Sequence, residues 1–255
     1  MRISLPLVVV LLPCVCLSLT GCKSESRPNF EADLSLPPDN PDLSETTVVA
    51  ELKARAELLE MRLEIKPGEE LDRRLTVRFR AEDKEDALTR LDALCQSGRV
   101  SIRAVHDRSA YLTDIIHKDP SQFPPDHEIH IYRIEAGDVP RSEKLAVARA
   151  EILDNSHVES ALATRGKKHT VHISLTTSGG DRIRAATEKM QKGRSRLAII
   201  YDERIISAPV VTQELWTPVT LEGFNSFEEA QALAASLNKP LSAKLLIESL
   251  MPLAR

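Results

Sequence analysis

The sequence predicts an α+β fold: a ferredoxin-like split βαβ subdomain on the C-terminal side, preceded by a smaller α/β subdomain. Three observations carry this. From about residue 46 onwards, apolar residues recur alternately at strand and at helix spacing. The last third reads strand, helix, strand, strand, a further short strand, helix, strand, which is split βαβ order with one insertion. The run RLAIIYDERIISAPVV, residues 196–211, is the most apolar outside the N-terminus and reads as strand, two-residue turn, strand.

The N-terminus is a targeting segment. Arg2 supplies the charge, Ile3 to Leu19 the apolar stretch, and Leu19-Thr20-Gly21-Cys22 resembles the lipobox of bacterial lipoproteins. That resemblance implies a signal peptide over 1–21, cleavage before Cys22, and a diacylglycerol with palmitate-like chains on the Cys22 thiol. Pro6, Pro13 and a length at the short limit argue against a spanning helix. Cys14 and Cys16 fall inside the signal, so Cys95 is left alone, with no intramolecular disulfide and the role of a small buried hydrophobe. Residues 22–45 are rich in proline, serine and acids and are expected to be a flexible tether. It would reach at most about 70–80 Å and hold the folded part off the membrane.

Residues 46–127 form the smaller subdomain. A helix is expected over 46–63, with Val49, Leu52, Ala56 and Leu59 at helical spacing, and a weak strand over Met61 to Ile65. Leu75, Val77 and Phe79 alternate as a strand. Asp83 caps a helix whose face is Ala87, Leu88, Leu91 and Leu94, and Val100, Ile102 and Ala104 form a strand. Residues 107–127, with three prolines, read as a connection. Residues 128–255 form the larger subdomain. Ile129 and Ile131 open a strand, and 141–163 reads as helix by alanine and leucine content or as strand near its end. Val171, Ile173 and Leu175 alternate as a strand. Ser178-Gly179-Gly180-Asp181 fits a helix start, and the apolar hairpin follows. Ser226-Phe227-Glu228-Glu229 is a capping box, and Lys244 to Ile247 a closing strand.

The stretch Leu197 to Val211 resembles a signature segment of the SecD and SecDF protein-export family, from the head subdomain of its first periplasmic domain. Supporting stretches are Ser174 to Ala186, Val219 to Phe224 followed by Glu228-Glu229-Ala230, and Pro240 to Lys244. Upstream, Leu75 to Ala87 and Val100 to His106 resemble the same domain more weakly. The resemblance implies a head over 128–255 on a base-like subdomain over 46–127. Two departures matter. Glu203 stands where the family has glycine in the hairpin turn, and an Asp-Glu pair is a poor type I′ turn. The family's transmembrane bundle has no counterpart here, so ion-driven coupling is not expected.

Candidate chemistry is sparse. His127 with His130, and His169 with His172, are spaced to point to opposite strand faces, so no metal site is expected. Asp181, Asp202, Glu203 and Glu222 do not pair as acid and base, so no catalytic residues and no cofactor are expected. The basic clusters Arg165, Lys167, Lys168 and Lys192, Arg194, Arg196 read as solvated faces. With 4% aromatic residues and a net charge of −4, nucleic acid is excluded as a partner. Trp216 has two readings, a plug under the sheet or an anchor for a partner.

The expectation is a non-enzymatic, lipid-anchored envelope protein facing the periplasm. It would bind unfolded or extended polypeptide, or dock to an envelope complex, through Tyr201, Ile205, Trp216 and Val219. The alternative is a scaffold for one folded envelope partner. Lys23, in place of aspartate after the lipidated cysteine, points to the outer membrane in a Gram-negative envelope.

Overall fold

The structure is a computed structural model and describes residues 27–38, 40, 42–68, 73–134, 141–224 and 226–253. The expected signal peptide and Cys22 lie outside the described residues. Among the described residues no helix is long and apolar enough to cross a membrane.

The first sheet has the order β12-β1-β3-β2, where β1 is Phe30–Ser35, β2 Leu63–Pro67, β3 Arg74–Phe79 and β12 Leu246–Pro252. Helices α1 (Glu45–Leu58) and α2 (Lys84–Cys95) cover one face. Strand β1 corrects the tether. Phe30, Ala32 and Leu34 alternate into the core, while Glu31 pairs with Arg78, and Asp33 accepts from Thr76 and Ser249, on the other face. The period-2 signal was there, but proline-rich neighbours and interleaved acids concealed it. Asp83 caps α2 as expected, accepting from the Asp86 N–H.

The second sheet closes on itself. Strands β4 (Val100–Val105), β5 (His127–Ile134), β6 (Arg141–Asp154), β9 (Arg196–Tyr201) and β10 (Arg204–Ser207) form a barrel in the order β10-β5-β6-β4-β9. Between β4 and β5, the expected connection contains a short helix, α3 (Ser109–Ile115). The whole of 141–154 is strand, not helix. Its first half pairs with β5 and its second with β4, and bulges at the β4 register let it curve between them. Tertiary pairing overrides the alanine content here.

The third sheet, β11-β8-β7, consists of β7 (Val158–Thr164), β8 (His169–Leu175) and β11 (Val219–Phe224), packed with α4 (Thr177–Glu188) and α5 (Phe227–Asn238). Helix α4 begins two residues earlier than expected, with Thr176 as its cap accepting from Gly179 N–H. Ser226 caps α5, accepting from Glu229 N–H.

The single ferredoxin-like sheet is not formed. Strands β9 and β10 belong to the barrel, and β12 returns to pair with β1. The two expected subdomains therefore interlock: β4 joins the barrel, and Leu241 and Leu245 enter the first core.

The hairpin's apolar faces are both buried. Ala198 and Ile200 face the barrel interior with Val105, Leu145, Val147 and Ile205. Leu197, Ile199 and Tyr201 face the third sheet and α5. Curvature into a barrel covers the face that an open sheet would have left exposed.

Candidate functional site

A cleft of about 1190 Å³ separates the first sheet's helices from the barrel. One wall is β5 with the β9–β10 hairpin, and another is the exposed side of α2 with the α1–β2 turn. The third is the start of α5 with the end of β11.

Local sequence explains each wall. Strand β5 pairs with β6 over eight residues, His127↔Ala148 to Ile134↔Arg141. On its other side it meets β10 at one pair only, Ile205↔Tyr132, in parallel. Much of the β5 edge is therefore left without ladder partners next to the cleft. Ile131 points out from this strand with 58% of its surface exposed, beside that edge. Phe227 opens α5 in the cleft wall, carrying the Arg165 guanidinium 4.4 Å above its ring.

The hairpin tip is a two-residue turn with Asp202 at φ 43° and Glu203 at φ 69°, the positive pair a type I′ turn needs. The turn forms despite its sequence because the Asp202 carboxylate is held. It accepts hydrogen bonds from Ser97 N–H (2.8 Å), Ser97 Oγ (2.5 Å) and Arg99 N–H (2.9 Å).

The same connector, 96–99, is gripped from its carbonyl side by Arg55 of α1. This guanidinium is fully buried and donates to the carbonyls of Leu94, Gln96 and Ser97 and to that of Lys239, just past α5. Two helix C-termini thus supply the negative potential that a carboxylate would otherwise provide. Burial lowers the pKa of Arg55, and nearby Tyr201 and Asp202 oppose that. Gly98 between the two grips has φ +77°, and a Cβ there would collide with the Ser236 carbonyl oxygen.

One end of the barrel interior is charged. Arg103 bridges Glu128 (3.0 Å) and Glu151 (2.8 Å), and His130 Nε2 lies 2.8 Å from Glu128 on the cleft side. That histidine bond holds the Glu128 carboxyl below its usual range.

The expected binding residues separate. Tyr201 is buried at the end of β9, and its hydroxyl donates to Ser236 Oγ (2.7 Å), which donates onward to the Leu233 carbonyl. Burial pushes its pKa up to about 12. Ile205 is 6% exposed and packs into the barrel. Both line the cleft, but with only 8% and 6% of their surface exposed they form its floor and offer little area for binding. Val219 is half-buried opposite Ile173 in the third sheet. Trp216 is no plug: it is 55% exposed, away from the cleft, with the Arg184 guanidinium 4.4 Å above its ring. Sequence reasoning missed Ile131 as a surface residue. Its alternation with Ile129 was visible, but not which face the barrel would leave open. Among the described residues no group of three or more His, Cys, Asp or Glu side chains could hold a metal ion.

The geometry defines an α+β protein with a closed barrel, an adjoining three-stranded sheet and a cleft with an open strand edge. Residues 131–241 match the family described as SecDF, P1 head subdomain, so this part of the chain is similar to that head. The fold is shared with a crystal structure of SecDF in its super-membrane-facing form. That match has a TM-score of 0.60 at 20% identity and covers 89% of this chain and 30% of that one. It is also shared with a SecDF structure described as a membrane component that enhances protein export, with a TM-score of 0.53 at 20% identity over 88% of this chain and 98% of that one. The chain spans about 30% of the length of the first of these. No curated protein sequence matches it.

Proposed function

We propose that this protein is a lipid-anchored envelope component in protein export that captures extended polypeptide in the cleft, without ion-driven coupling. The carrying observation is the β5 edge, left largely unladdered beside exposed Ile131. An extended chain can add there as a strand, with backbone hydrogen bonds giving affinity for many sequences and apolar pockets selecting side chains. The likeness to the SecDF head supports a role in export. The lipobox at Cys22 supports anchoring, and Lys23 the outer membrane.

The test is site-specific photo-crosslinking in cells. A crosslinker at Ile131 should trap many exported proteins while they are unfolded. One recurrent folded adduct there, or none, would sink the capture reading. Ile131→Glu should weaken binding of an unfolded test protein by about tenfold or more, the cost of burying a charge against an apolar segment. The scaffold reading rests on Trp216, exposed under Arg184. A crosslinker there that traps one folded partner would favour it.

A further inference from the structure

The open β5 edge calls for an extended backbone and leaves the side chains of the bound segment unspecified. The cleft walls specify them, because apolar and charged groups are segregated around it. Ile129 and Ile131 lie two residues apart on β5 and so share one face, and Ile206 of the neighbouring β10 also lines the cleft. Half-buried Leu59, Phe224 and Phe227 add apolar surface from the other walls.

The charge is uneven. Among the described residues seven carboxylates line the cleft against four guanidiniums. Glu60, on the α1–β2 turn, and Asp92, on α2, are exposed. Asp92 accepts from the Gln96 amide (2.8 Å), and neither carboxylate is joined to a cation among the described residues. Two of the guanidiniums are already engaged with carboxylates of the same walls, Arg90 with Asp86 (2.8 Å) and Arg165 with Glu228 (3.8 Å). Arg133 and Arg204 remain, both within one position of the pair Ile205↔Tyr132, where β10 occupies the β5 edge. The N-terminus of α5 would by itself draw an anion, but Glu228 and Glu229 stand in its first turn and offset its partial positive charge.

We infer that the cleft selects extended segments in which apolar residues alternate with lysine or arginine, and rejects acidic ones. This deepens the capture reading and rests on it. A bound strand has a period of two, so its side chains fall alternately on two sides. One set packs on the isoleucines, and the other meets the carboxylates of the helical walls. A concave site with one sign of charge in excess focuses its field, so a cation there gains more than on a flat surface and an anion loses more. Because the carboxylates are exposed, salt weakens the preference.

The test measures binding to the full chain by fluorescence anisotropy, with three labelled peptides of about ten residues, the length of a long strand. In all three, valine alternates with polar residues: serine and lysine, serine and glutamate, or serine alone. At about 50 mM salt the lysine peptide should bind about tenfold or more tighter than the glutamate peptide, with the serine peptide between them. At about 500 mM the ratio should shrink to about twofold. Glu60→Lys combined with Asp92→Lys should bring the ratio below about threefold at the lower salt. Glu159→Lys combined with Glu188→Lys makes the same change in net charge at exposed positions outside the cleft and should leave the ratio unchanged. Equal affinity for the lysine and glutamate peptides, or tighter binding of the glutamate one, overturns the selectivity and leaves capture standing. An equal shift with both pairs of reversals places the preference in net charge rather than in the cleft, and overturns it as well. The peptide series on the unaltered chain decides even where a variant does not fold. No binding of any of the three peptides overturns the capture reading and the selectivity with it.

Discussion

Arg55 shows how one residue can hold distant parts of the chain. Its guanidinium is buried, and it donates to four carbonyls from two helix ends and the connector. Arg55→Met would take this donor from the Leu94, Gln96 and Lys239 carbonyls, while the Ser97 carbonyl keeps Leu241 N–H, at about 1–3 kcal/mol each before relaxation, so a net loss of about 3–5 kcal/mol is expected. Urea unfolding measures it, and a loss under about 1 kcal/mol would mean that water replaces the side chain. Glu203 offers the opposite experiment. It is exposed at φ 69°, where glycine carries no steric penalty, so Glu203→Gly should stabilise by about 0.5–1 kcal/mol and raise Tm by about 2–4 °C. An unchanged or lower Tm would mean that the turn is not strained. Cys95 is buried with its thiol pushed up to about 12, so native protein at pH 8 should not react with a disulfide reagent, while urea-unfolded protein should.

At the scale of elements, the connector 96–99 depends on both grips. Asp202→Ala removes the acceptor for its N–H groups and puts a Cβ-bearing residue without compensation at φ 43°, for an expected loss of about 2 kcal/mol. If the two grips act on one connector, the double variant with Arg55→Met should lose less than the sum of the singles in a double-mutant cycle. Strict additivity would show two independent locks. The β7 edge is managed differently. The Asn238 side chain accepts from Ala161 N–H (2.8 Å) and donates to Ala161 C=O (2.7 Å), standing in for a neighbouring strand. Among the described residues the β5 edge has no such plug along the cleft, and this contrast is what marks it as a candidate for strand addition.

At the scale of the whole molecule, acid should loosen the barrel in two stages. His106 lies against His127, with Asp107, Arg108 and Asp126 nearby; burial, then His127, lowers its pKa. A lowered histidine pKa means that the unfolded state binds more protons, so this contribution is full above about pH 6.5 and is lost as pH falls towards the folded pKa. Glu128 and Asp154 have lowered carboxyl pKa values, through His130 and Ser156 respectively. Their contributions hold above about pH 4 and disappear as pH falls through the folded values. A Tm series from pH 8 to pH 3 should be flat, then decline below about 6.5, then fall more steeply below about 4. His106→Asn should flatten only the first decline, and no change in that limb would assign it elsewhere.

Sequence by itself determined the local choices: the alternating strands, the Asp83 and Ser226 caps, the lone buried Cys95, and the likeness of the hairpin segment to the SecD head. These are legible because period and capping depend on residues within a few positions of one another. Tertiary structure alone decided the rest. Whether Phe30 to Ser35 is tether or strand depends on β3 and β12, the latter more than two hundred residues away. Whether Tyr201 and Ile205 are surface or core depends on the sheet closing into a barrel, and a period-2 pattern is the same in an open sheet and a closed one. The candidate site was only half legible for the same reason: its walls come from three separate parts of the chain, and the open edge of β5 exists because its partner β10 reaches it at a single residue pair.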